Sequence, residues 1–161
     1  MNADFSTAWQ LLLGNEGGYV DNPSDPGGAT MYGVTERVAR AHGYTGDMRD
    51  LPLPLAEQIA KTEYWDPYHC DQMPQEVAFQ ILDTAYNGGH PAEWVQQAAG
   101  VTVDGIIGPQ TLAAINASDP DKIVMRFDAA RIDYLTDCNP WPTFGRGWMH
   151  RIANNLRRAA A

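Results

Sequence analysis

Three side chains in one short stretch have the types and spacing for acid–base chemistry. Glu16, Asp25 and Thr30 stand nine and then five positions apart. Between them Pro23, Pro26, Gly27 and Gly28 force turns, so residues distant along an extended chain can converge. Residues 4 to 16, read as a helix at about 100° per residue, put Phe5, Trp9, Leu12 and Leu13 on one stripe with Glu16 in its middle. An acid at an apolar position is pushed towards its neutral form and can then give up a proton near neutral pH. One carboxyl to protonate a leaving group, and one to hold a water across the bond with help from a hydroxyl, is what glycoside hydrolysis requires. Each residue also has a plainer reading. Glu16 can be a solvated residue at a helix end stopped by Gly17, Asp25 can be an Asx-turn residue, and Asp21 competes with Asp25 for the same role.

The elements that must position these groups read as mainly helical. Thr35 caps a short helix from Glu36 to His42 that Gly43 ends, and His42 in its last turn is structural. Residues 43 to 52 form a loop. Pro54 opens a helix whose inward stripe runs through Leu55, Ile59, Thr62 and Trp65 until Pro67. Glu63 on it is a third acid, but Lys61 and Asp66 beside it mark a wet face. Tyr64, Trp65 and Tyr68 either stack on sugar rings or fill the core, and core packing is the commoner fate. Residues 75 to 87 are apolar on two sides, as a central buried helix is. Asp83 and Asn87, one turn apart on it, either bond each other or line a cleft.

The second half continues in the same style. Gly88 and Gly89 break the chain, Pro91 opens a helix over 92 to 99, and Gly100 caps it. Val103 to Thr111 is a tight glycine-bearing turn, and Pro109 starts a helix to Asn116. Asp119 and Pro120 begin another, with Ile123, Phe127, Ala130, Arg131 and Tyr134 on its stripe to about Asp137. The run Asn139-Pro140-Trp141-Pro142 should end that helix and leave a last one over 147 to 160. It carries Trp148 and Ile152 with Arg151, Arg157 and Arg158; it is short for an amphipathic membrane-active tail, and Trp148 is expected to dock into the core.

The chain has 161 residues, 44% of them hydrophobic, enough for one well-cored domain and short for two. Residues 1 to 121 carry 17 acids against 4 bases, and residues 122 to 161 carry 3 acids against 7 bases. So acidic a front argues against a nucleic-acid partner. The basic end either meets an anionic envelope surface weakly or is an ordinary solvated helix face. His42, His69, His90 and His150 are scattered, without the spacing of a zinc site, so no metal is expected. Cys70 and Cys138 make no disulfide framework and are expected as free thiols. The first residues lack the bases of a signal peptide, and Trp9 to Leu13 is too short to span a membrane.

The ordered set Glu16-Gly17-Gly18-Tyr19, Asp25-Pro26-Gly27-Gly28-Ala29-Thr30, Tyr32-Gly33-Val34-Thr35, Tyr64-Trp65, Asp83 to Gly89 and Val103 to Thr111 resembles glycoside hydrolase family 108, the phage and prophage N-acetylmuramidases. The likeness covers roughly residues 5 to 155. It implies a mainly α, lysozyme-like fold in one compact domain, with an irregular or small β loop after the catalytic Glu. A catalytic half over 5–90 would carry a peptidoglycan-binding-like half over 91–155 packed on it. It implies a cofactor-free hydrolase cutting the β-1,4 bond between N-acetylmuramic acid and N-acetylglucosamine, with Glu16 as general acid. Asp25 and Thr30 would hold the water, and Tyr19, Tyr32, Tyr64, Trp65, Asp83 and Asn87 would contact substrate. Other phage-type lysozymes share the Glu, Asp, Thr order with a loop spacing about a residue different, so the carry-over is firmer for Glu16. Peptidoglycan is the expected partner of a monomer held in a host cytoplasm until a holin releases it to the wall. A lytic transglycosylase, a non-catalytic wall-binding protein resting on the 104 to 111 loop, and a toxin effector with the same chemistry are the alternatives.

Overall fold

The computed structural model describes residues 2–15, 17–23 and 27–161. Among them are eight α-helices and one two-stranded sheet. Helix α1 (Phe5–Leu13) starts at Asp4, whose carboxylate accepts the Thr7 amide and hydroxyl, both at 2.8 Å, and it buries Ala8, Trp9 and Leu12. It closes at Leu13, with Gly14 and Asn15 in a turn. The expected helix to residue 16 is therefore shorter, because Gly14 is a poor helix former and the Asn15 amide turns back to the Leu12 carbonyl at 2.9 Å, an i→i−3 bond that closes the last turn. Glu16 itself lies outside the described residues.

Strands β1 (Thr30–Met31) and β2 (Val34–Thr35) pair antiparallel, Thr30 opposite Thr35. Tyr32 and Gly33 between them both have positive φ, 52° and 81°, the two-residue turn whose twist matches the strands it joins. Thr30 is tied on its other side to Val20, amide to carbonyl at 2.7 Å and the reverse at 2.9 Å. This is the small β loop that the sequence led one to expect. Helix α2 (Glu36–Ala41) follows directly, its N-terminus capped by the Thr35 hydroxyl.

Helix α3 (Leu53–Tyr64) leads through two 3-10 turns to α4 (Gln75–Asn87). Every residue of α4 from Val77 to Thr84 is buried. The helix packs on α1 and α3 on one side and on α5 (Pro91–Ala99), α7 (Pro120–Thr136) and α8 (Trp141–Ala159) on the other. Between α4 and α5, Gly89 allows a close approach: a β-carbon there would stand 2.7 Å from Thr84 Cγ2 and 2.9 Å from the Trp94 ring. Helix α6 (Pro109–Ala117) closes against α5 and α7.

Helix α8 begins at Trp141, not near residue 147. Pro140 and Pro142 do not break it, because they fall at its N-cap and first turn, where a missing N–H costs nothing. Trp148 is correspondingly not a core residue. It is partly exposed and lies against Trp141 and Phe144. Cys70 is buried and Cys138 partly so; both are free thiols.

Candidate active site

The site is assembled on α4. Asp83 faces inward from that buried helix with 0% exposure, and an isolated carboxylate there would be prohibitively costly. Two guanidinium groups resolve this. Arg131 of α7 donates from Nη1 to Asp83 Oδ2 at 2.8 Å. Arg151 of α8 donates from Nε, and stands with Nη2, at 2.8 Å from Oδ1. The Asn155 amide adds a bond of 2.9 Å to Oδ2. Burial pushes the Asp83 carboxyl up, but Arg131 and Arg151 outweigh it and hold the group below its ordinary value. One carboxylate thus pins two helices of the second half onto the central helix of the first.

The same two arginines line a cavity of about 460 Å³. Gly14 and Asn15 bring the end of α1 to it, Asn87 and Gly88 the end of α4, and Trp148, His150 and Asn154 the exposed side of α8. Asn87 is held by an amide bond of 2.8 Å to the Asp83 carbonyl. The wall is therefore rich in hydrogen-bond donors, carries fixed positive charge, and has one indole. Such a wall suits a sugar chain bearing carboxylates, with polar groups for hydroxyls and an aromatic face for a pyranose ring.

The residues singled out from sequence separate into groups. Glu16 and Asp25 lie outside the described residues, although Asn15, next to Glu16 in the chain, lines the cavity. Asn87 also lines it. Asp83 does not: its carboxylate is sealed under the two arginines, and its part is to position them. Trp65 is 1% exposed, edge-on to Phe5, and its ring is core. Tyr64 meets Tyr86 edge to face at 5.1 Å, and the Tyr86 hydroxyl donates to the Tyr32 carbonyl at 2.8 Å. These contacts hold the hairpin turn against α4. Tyr19 and Asp21 line a separate cavity of about 380 Å³ with Glu36 and Arg40, and the Arg49 guanidinium covers the Tyr19 ring. Thr30 sits in the hairpin as described. Glu63 pairs with His42 at 2.8 Å on the surface, a wet-face pair as its neighbours indicated.

Arg131, Arg151 and Trp148 were not among the candidates. One signal was available: Arg131 occupies the apolar stripe of α7, a charge at a buried position, just as Asp83 does on α4. Two opposite charges on buried faces call for each other, but the sequence does not say that they meet.

A core helix wrapped by others, a small β hairpin after the first helix, and a polar cleft beside that helix define a lysozyme-like glycosidase fold. The chain belongs to glycosyl hydrolase family 108, whose model matches residues 9–89, and a predicted peptidoglycan domain matches residues 90–153. A solved structure, that of Brucella abortus SagA, superposes with a TM-score of 0.86 at 33% identity, covering 97% of this chain and 93% of that one. Among curated proteins none matches. At this level the chain is a glycoside hydrolase directed at peptidoglycan.

Proposed function

We propose that the enzyme hydrolyses the β-1,4 bond between N-acetylmuramic acid and N-acetylglucosamine. The observation that carries this is the cavity, where the chain leading into Glu16 meets Arg131, Arg151 and Trp148. In this reading the glycan strand lies along the cavity and Glu16 protonates the glycosidic oxygen. Asp25 and Thr30 hold the attacking water on the opposite face, which gives inversion at the anomeric carbon. Asn87, Asn15 and Asn154 bond sugar hydroxyls and acetamides, and Arg151 faces the carboxylates of the lactyl and peptide groups. Tyr32 and Tyr64 act on substrate only through the hairpin that Tyr86 holds with them, and Tyr19 stays under Arg49 in the second cavity.

The two halves are proposed to work as one unit, because the cavity that Gly14, Asn15 and Asn87 enter is walled by residues of α7 and α8. The cellular setting expected from the resemblance, a phage lysin set free by a holin, belongs to the same proposal.

The test is a pair of substitutions. Glu16→Gln should reduce clearing of isolated sacculi by at least about a hundredfold, the usual worth of a general acid. Asp25→Asn should fall almost as far, and the first sugar formed by the wild type should be the α anomer by proton NMR. A β anomer would replace inversion by retention, and full clearing by Glu16→Gln would remove Glu16 from the acid's role.

A further inference from the structure

Three aromatic rings in the first half of α8 are unaccounted for by the core. Trp141, Phe144 and Trp148 follow at helical spacing, with centroids 6.3 Å apart for Trp141–Trp148 and 6.1 Å for Phe144–Trp148. None belongs to the buried core or to the partly buried residues packed on it. Phe144 is 52% exposed. The Trp141 ring is seated on the helix backbone, because Gly145 leaves room for it: a β-carbon at Gly145 would stand 2.5 Å from the indole. The rings are thus fixed in place without being buried, an arrangement that presents apolar faces to something outside the chain.

What lies beside them indicates the occupant. Trp148 is both a member of this cluster and a wall of the cavity that Gly14 and Asn15 also line, so the aromatic surface is continuous with the cleft. We infer that Trp141, Phe144 and Trp148 form an outer binding subsite for the glycan strand of peptidoglycan, stacking pyranose rings beyond the sugars held in the cavity. The inference rests on the cleft being the glycan-binding site and extends it along α8. Sugar rings have one apolar face of C–H bonds and a polar rim, so they fit separated aromatic plates edged by polar groups. Here Arg151 and Asn154, which line the cavity together with Trp148, supply the edge. The Arg151 guanidinium suits the carboxylates that hang from the same strand.

The experiment is co-sedimentation of purified full-length protein with isolated sacculi, on a Glu16→Gln background so that the strand is not consumed. Phe144→Ala and Trp141→Ala are compared with the parent. Parallel runs use vesicles of phosphatidylethanolamine and phosphatidylglycerol. Each substitution should weaken sacculus binding about tenfold, the effect of losing on the order of 50 Å² of apolar contact. Gly145→Ala should do the same by unseating Trp141 with all three rings retained. Phe144 is exposed, so its variant should keep the parent's melting temperature. Undiminished sacculus binding by both ring variants would overturn the subsite. So would binding to vesicles that the substitutions abolish while sacculus binding stays intact, since that would make the patch a lipid contact. The fate of the hydrolysis reading is read separately, from reducing ends released by the parent with Glu16 restored. Weakened binding by Phe144→Ala therefore supports the subsite even if the acid proves to be another residue.

Discussion

Asp83 and Asp128 are both buried carboxyls in the second-half interface, and they behave in opposite ways. Asp83 is saturated by Arg131, Arg151 and Asn155. Removing it leaves two guanidinium groups facing one another, so Asp83→Ala should cost about 3–5 kcal/mol in a guanidinium chloride titration. It should also lower activity by loosening the cavity wall. Asp128, 1% exposed on α7, finds no hydrogen-bond partner for either oxygen among the described residues. Burial, against the attraction of Arg131 and with the repulsion of Asp83, pushes its carboxyl up to about 7. A folded-state value above the unfolded one means stability that is complete below about pH 4 and is lost as pH rises to about 7, at roughly 1.4 kcal/mol per unit. Asp128→Asn should flatten that loss, gaining stability over the wild type at pH 8 and little at pH 4. Equal pH dependence in the two proteins would show that Asp128 does not titrate in this range. Asp83 has the reverse sign: its lowered value adds stability above about pH 4 that is lost on acidification. The need for a partner at Asp83 was legible from its place on a helix apolar all round. The partners were not, because Arg131 and Arg151 stand 48 and 68 positions away and local periodicity carries no such information.

At the scale of elements, sequence punctuation was a good guide where one signal acted alone. The end of α4 follows from Gly88-Gly89, the bounds of α5 from Pro91 and Gly100, and the start of α7 from the Asp119-Pro120 pair, each doing one job. It failed where a signal had two meanings. Pro140 and Pro142 read only as a stop for α7, which does end at Thr136, but they also open α8, since proline is equally at home after one helix and in the first turn of the next. That error hid the aromatic surface of α8. The 104 to 111 loop offers a further test at this scale. Its Asp-Gly turn resembles a wall-binding motif, yet the buried Gln96 side chain gathers it inward. Gln96 accepts from the Asp104 and Gly105 amides at 3.0 and 2.9 Å and donates to Asp104 Oδ1 at 2.7 Å. Gln96→Ala should cost about 2–3 kcal/mol through donors and acceptors left unpaired, and hydrogen exchange at Asp104 and Gly105 should accelerate. Gly89→Ala should destabilise by a similar amount, because the β-carbon meets Thr84 and Trp94 at a positive φ of 153°.

For the whole molecule, the uneven charge acquires a use. The acidic front half would repel an anionic polymer, but the two guanidinium groups of the cavity, Arg131 and Arg151, both come from the basic end of the chain. The second half therefore supplies the electrostatic face that the first half lacks. Activity on sacculi should accordingly fall several-fold between low salt and about 0.3 M, as the partly exposed charges at the cleft are screened; an unchanged rate would assign the cations a purely structural part. Composition made the charge asymmetry plain, but its placement on the cleft depends on how α7 and α8 dock onto α4. The central claim is hydrolysis at this cleft by Glu16. Its most direct test is mass spectrometry of the fragments released from sacculi by the wild type and by Glu16→Gln. Muropeptides ending in reducing N-acetylmuramic acid, present with the wild type and absent with the variant, are the predicted result. Anhydro ends would mean that the sugar's own hydroxyl attacks, and undiminished reducing ends from Glu16→Gln would contradict the account.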